Sequence, residues 1–294
     1  NTAKTGITTV QADAITANTA KTGITTAQAD AITANTAKIA GATATEIGYL
    51  SGVTSAIQTQ LDNAAGGASN VTGLSDALVE DNSLYIGNDP SSTTSTANYN
   101  VAVGITTLDA ITTGDNNTAI GYDALTNNTE GGNNTAIGYT ALQSNTTGSY
   151  NTASGSYALS FNTEGDYNTA IGSWALNRNT LGYSNTATGH YALRYNTEGY
   201  SNTASGFYAL YANTTGIYNT AIGYRALYLN DTGYQNTASG YGALYLNTTG
   251  KQNTASGTFA GDVITTGSDN VIIGYDADPS SASATNQIVI GYGA

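Results

Sequence analysis

Aromatic side chains are the residues through which this chain could do chemistry at a surface. It carries 22 tyrosines, three phenylalanines and one tryptophan in 294 residues, beside a single histidine and no cysteine. Tyr211, Tyr228 and Tyr245 recur at equal spacing, and Trp174 falls in a row that also holds Tyr157, Tyr191, Tyr208 and Phe259. Tyr150, Tyr167, Tyr183, Tyr200, Tyr218 and Tyr234 make a further aromatic series. Aromatic faces spaced along a rod hold sugar rings by stacking, and the same ladders brace neighbouring strands. Both readings apply to Tyr211, Tyr228, Tyr245 and Trp174, which are the candidate glycan contacts.

The other reactive groups argue against catalysis. His190 stands where equivalent positions carry Tyr122, Ser156 or Phe207, so it reads as structural, and no triad or zinc site can be built from it. Glu130, Glu164 and Glu198 recur in alternate repeats, roughly 9–10 Å apart in a strand stack. That is too far to share a proton or a calcium ion, and solvated turn charges are the expectation. A depolymerase would need paired carboxylates in a groove. Without cysteine there is no disulfide or thiolate metal site, and no cofactor is expected. A net charge of −13 opposes binding to nucleic acid or to an anionic membrane, and no run reaches the length of a membrane span.

These residues are positioned by a repeat. Asn-Thr-Ala opens at Asn117, Asn134, Asn151 and on to Asn253, always seventeen residues apart, and the same ruler reaches back to Ser83 and forward to Gln287. A period this short predicts an all-β, parallel β-solenoid or β-roll, each coil burying its apolar side on the next. Thirteen such coils would make a rod on the order of 60 Å long. Counting from the Asn, position five is always Gly, from Gly87 to Gly291, which predicts a corner with positive φ; a second Gly at position fifteen predicts another corner. Leu125, Leu142, Leu159, Leu176, Leu193, Leu210, Leu227 and Leu244 stack once per coil as a structural ladder. Two short strands per coil are expected, at positions two to four and seven to ten.

Positions two and four share one strand face. The end coils fill them with Leu84 and Ile86, Val101 and Val103, or Val271 and Ile273, so the face is expected to point inward. The same inference argues against the water-ordering, ice-binding role that a flat row from Thr118 to Thr254 would otherwise suggest. Asn-x-Thr sequons at Asn145 and Asn213 read as a by-product of the repeat. One Leu and two Ala per coil are a thin core against the entropy of ordering the backbone, which predicts side-by-side association, as a homotrimer.

Three regions follow. Residues 1–45 repeat NTAKTGITTVQADAITA out of phase with the later array, and Ile7, Val10, Ala14 and Ala17 form a stripe suited to a helical stalk. Residues 46–82 hold a short coiled coil on Leu50, Val53, Ile57 and Leu61, and a connector with a brief helix over Gly73–Glu80 capped by Ser75. Residues 83–294 are the solenoid, with polar surface excursions at Asp89–Ala97 and Ser280–Thr285 in its outermost coils. The chain begins inside a repeat and has no methionine, so a longer polypeptide is expected.

The motifs NTAIGYxAL and NTASGxxAL resemble the head repeats of trimeric autotransporter adhesins, whose N-S-x-A-x-G-like units build a left-handed parallel β-roll with a shorter period. Together, the NTAKTGITT repeats, EIGYLSGVTSAIQTQLD and the NTAIGYDAL array resemble bacteriophage tail-fibre proteins, particularly those of marine phages and cyanophages, over nearly the whole chain. That resemblance implies a homotrimeric virion fibre that presents a tip to a host-surface glycan or protein receptor. It often implies a self-cleaving chaperone domain as well, which this sequence does not contain. A bacterial surface adhesin head is the alternative.

Overall fold

Each N-[TV]-A-x-G stretch places a small residue between two larger or β-branched ones, and in the computed structural model each is one short strand. The structure describes residues 77–80, 82–87 and 96–293, all in the second of two units, Leu74–Ala294. After β1 (Ala77–Glu80) and β2 (Ser83–Ile86) come β3 (Val101–Val103), β4 (Thr118–Ile120) and a strand every seventeen residues to β13 (Val271–Ile273) and β14 (Ile288–Ile290). They form a single sheet in chain order. From β2 onward every pairing is parallel and shifted by one repeat, as in Thr186↔Thr203, Ala187↔Ala204 and Thr188↔Ser205. The unit is an all-β parallel solenoid with seventeen-residue coils.

The sheet faces the opposite way from the expectation. The middle residue of each strand, Ala119 through Ala255, is fully buried, while Ile120 and Ile222 beside it are 40% and 49% exposed. Positions two and four therefore look outward, including Val101 and Val271 of the end coils. Beneath the strand the middle coils pack Ala against the Leu from the far side, and where Gly261 replaces that Leu the fully buried Ile272 reaches into the space. The β-branched residues suit the pleated outer surface.

Among the described residues no second strand forms at positions seven to ten. Tyr191 and Leu193 adopt φ of 61° and 51° with Ala192 between them, and alternating left-handed residues wind this stretch into turns. The conformation is uncommon for Leu, and hydrogen bonds to both neighbouring coils hold it. Tyr191 N donates to Ser173 O at 3.1 Å and Leu193 N donates to Ala209 O at 3.0 Å. The result turns Leu193 and its equivalents fully inside their own chain. The leucine row is thus closed without a sister chain, and a thin core no longer argues for association.

The two glycine rows do different work. Gly206, at position five, has φ of 141°, and a Cβ there would lie 2.5 Å from Gly223 O in the next coil. Gly199, at position fifteen, has no left-handed backbone; a Cβ would lie 2.4 Å from Asn196 Oδ1 and 2.5 Å from Gly216 O. Close approach, not a corner dihedral, selects it.

That crowding belongs to two buried asparagine ladders. At position one, Asn185 N donates to Asn168 Oδ1 at 3.0 Å and Asn185 Nδ2 donates to Gly199 O at 2.8 Å. At position twelve, Asn196 Nδ2 also donates to Gly199 O, at 2.9 Å. Both rows are fully buried, and they include the sequon residues Asn145 and Asn213. Side-chain amides thus complete an interior that Ala and Leu alone cannot fill.

At the leading edge, β1 pairs antiparallel with β2 through a turn at Asn82, with Ala77 opposite Ile86 and Glu80 opposite Ser83. The helix expected over Gly73–Glu80 is therefore a strand across its last four residues. β1 thus covers the outer edge of β2, as edge strands in β-proteins are commonly covered. The helical stalk over 1–45, the coiled coil over 46–61 and residues 88–95 of the first excursion lie outside the described residues. The second excursion keeps the frame, since Ser268 bridges Thr285 and Asn270 Nδ2 donates to Ala284 O at 2.8 Å.

Candidate functional site: the aromatic arc and its notch

The turn arc at positions six to eleven projects the large side chains outward, because Ala at position eight and Leu at position nine take the inward directions. Strand spacing then sets ring on ring. Tyr211 and Tyr228 stack at 5.1 Å with planes 2° apart, and Tyr228 and Tyr245 at 5.2 Å with planes 5° apart. Trp174 stacks on Tyr157 at 4.2 Å. It joins the tyrosine stack through Arg194, whose guanidinium carbon lies 4.8 Å from the Trp174 and Tyr191 ring centroids and 5.1 Å from Tyr195. Tyr191 stacks on Tyr208 at 5.1 Å, and Tyr208 meets Tyr211 edge to face at 4.9 Å. The four candidate contacts thus form one continuous aromatic surface.

Burial in this surface pushes the Tyr211 phenol up to about 12, the Tyr195 phenol adding to the rise and Arg194 opposing it. Tyr228 is raised for the same first reason. These phenols stay neutral near pH 7, so they serve as faces and hydrogen-bonding hydroxyls. The opposite corner carries shorter stacks, Tyr150 on Tyr167 at 5.0 Å and Tyr183 on Tyr200 at 4.7 Å.

The arc lacks a ring at several position-seven sites, Arg225 and Gly242 among them. Gly242 occupies position seven, where Tyr191, Tyr208 and Phe259 put rings in their coils. Beside it lies a cavity of ≈ 230 Å³ lined by Arg225, Tyr241, Gly242, Tyr245, Phe259 and Asp262. Its walls are held by neighbours: Tyr241 stacks on Tyr224 at 4.9 Å and meets Phe259 edge to face at 5.1 Å. Arg225 lies over the rings of Tyr224 and Tyr228, 5.1 and 5.4 Å from their centroids. Burial, then the charges of Asp278 and Asp276, raise the Asp262 carboxyl from its ordinary 3.8 to about 6.

His190 packs its ring 3.9 Å from Tyr191 and 5.2 Å from Phe207, within the aromatic row. Glu130, Glu164 and Glu198 are exposed on turns. Among the described residues no group of three or more His, Asp or Glu is placed to hold a metal ion, and no helix is long and apolar enough to cross a membrane. Sequence reasoning reached Tyr245 and missed the notch around it. The signal was a glycine between Arg225 and Phe259 in a column that carries rings at Tyr157, Trp174, Tyr191 and Tyr208.

Compared with protein-family models, with curated proteins and with solved structures, the chain matches none. What fold and site define is a class: a tandem-repeat β-solenoid with an aromatic flank and an exposed outer sheet face.

Proposed function

We propose that this chain is a non-enzymatic fibre shaft that assembles as a homotrimer and presents adhesive surface to a host receptor, in the manner of a phage tail fibre. A bacterial surface adhesin has the same physics. The observation that carries the reading is the outer face of the sheet. Among the described residues, Val101, Ile120, Ile137, Ile171, Ile222, Val271 and Ile273 are exposed along it, one strand spacing or a few apart. A surface ruled at about 4.8 Å over many strands is matched best by another with the same ruling, which a sister chain supplies. Sedimentation equilibrium tests this: the expected species is a trimer, and a monomer at micromolar concentration would end the reading. Ile137→Lys with Ile171→Lys is expected to yield monomers with unchanged circular dichroism.

The same outward face favours a second reading, a water-ordering surface, since nine threonines from Thr118 to Thr254 stand in one outward-facing row. Thermal hysteresis of the purified protein separates the two. A trimer that buries this row would show none.

A further inference from the structure

We propose that the notch at Gly242 is a binding site for a single neutral saccharide ring, seated against Tyr241, Tyr245 and Phe259 with its hydroxyls on Asp262 and Arg225. This deepens the adhesive reading above and rests on it only for where the site is displayed. The cavity is lined from three successive coils, by Arg225, by Tyr241, Gly242 and Tyr245, and by Phe259 and Asp262, so those coils set its shape. At ≈ 230 Å³ it falls below the roughly 300 Å³ at which clefts for larger ligands begin, which suits one ring and not an oligosaccharide chain.

The lining has the chemistry a pyranose requires. Sugar rings present C–H faces that pack on aromatic faces, and hydroxyl pairs that donate to a carboxylate and accept from a guanidinium. Asp262 supplies the acceptor and Arg225 the donor. Among the described residues the buried Nε of Arg225 has no hydrogen-bond acceptor. Charge selects against acidic ligands: Asp276 and Asp278 adjoin Asp262, and the chain carries −13 overall.

Geometry also explains why position 242 is held by glycine. Gly242 keeps the left-handed backbone of its row, φ 65°, but a Cβ there would stand 2.8 Å from Phe259 Cδ1. The Phe259 ring leans into the space that a side chain at 242 would take.

The test uses the whole chain and a panel of methyl glycosides of glucose, galactose, mannose and N-acetylglucosamine, with methyl glucuronoside as the acidic control. Binding is followed by saturation-transfer NMR and calorimetry. At least one neutral glycoside is expected to bind with a Kd of about 10 mM or tighter, and Gly242→Tyr and Asp262→Asn are each expected to weaken it about tenfold. Binding should also weaken as pH falls through about 6, where Asp262 takes up its proton. No binding by any neutral glycoside, equal binding of the acidic one, or binding indifferent to both substitutions would overturn the site. Sedimentation of the same samples keeps this result apart from the fibre reading, because neither substitution touches the outer sheet face.

Discussion

Asn196 Nδ2 donates to Asn179 Oδ1 at 2.7 Å across one coil, while Asn196 Oδ1 accepts from Asn213 Nδ2 at 2.8 Å. From Asn128 to Asn230 each amide in this fully buried row is both donor and acceptor. Asn196→Ala leaves Gly199 O with one fewer donor, and strips partners from Asn179 and Asn213. At about 1–3 kcal/mol for each buried group left unpaired, a loss of about 3 kcal/mol or more is expected. Denaturant melts measure it, and hydrogen exchange should place the loosening within a coil or two.

The row ends where isoleucine replaces asparagine, at Ile111 and Ile264, and both are fully buried. Beyond Asn247 no amide follows, and Asn247 Oδ1 is buried without a partner. Ile264→Asn supplies the missing donor and is therefore expected to cost less than Leu244→Ala, which opens a cavity worth roughly 2–5 kcal/mol. Melting temperatures of the two variants check the order.

Gly206→Ala puts a methyl 2.5 Å from Gly223 O and 2.7 Å from Gly223 C, at φ 141°. Backbone on both sides must separate. A loss of several kcal/mol is expected, larger than the roughly 1 kcal/mol of an ordinary Gly→Ala propensity change. Chemical denaturation reads it directly.

Asp262 gives a pH dependence with a definite sign. Its carboxyl titrates at about 6 when folded and near 3.8 when unfolded, so between those values the native state holds the proton more tightly. Stability therefore falls as pH rises from about 4 to about 6. Asp262→Asn is expected to raise the melting temperature at pH 7.5 and to change it little at pH 3.5. A lower melting temperature at pH 7.5 would show that the ionised carboxylate is stabilising.

Arg194 sits among Trp174, Tyr191 and Tyr195, and Trp174 is the one tryptophan in the chain. Arg194→Ala should shift Trp174 emission to the red as water reaches the ring, with a stability loss of about 1 kcal/mol. An unchanged emission maximum would mean that the guanidinium does not shield it.

The seventeen-residue frame and the left-handed glycine at position five were legible because a strict period fixes them, whatever the side chains do. The direction of the sheet was not. The large residues Leu84, Val101 and Val271 point to positions two and four, whereas the interior is lined from position three, by Ala in most coils and by Tyr85 and Ile272 near the ends. The asparagine rows were hidden for a related reason: Asn128 or Asn145 alone reads as a turn former or a sequon, and burial becomes affordable only once a copy lies one rung away. Gly242 and Asp262 are visible when the coils are aligned column by column, but their meaning comes from the rings around them.

Because every rung presents the same amide, methyl and carbonyl groups to the next, a whole unit can be duplicated or deleted in the gene without creating any new type of contact. Length is then a trait that selection can adjust in steps of one rung. Loss of a single residue, by contrast, would turn Thr and Ile toward the alanine side and has no such neutral path.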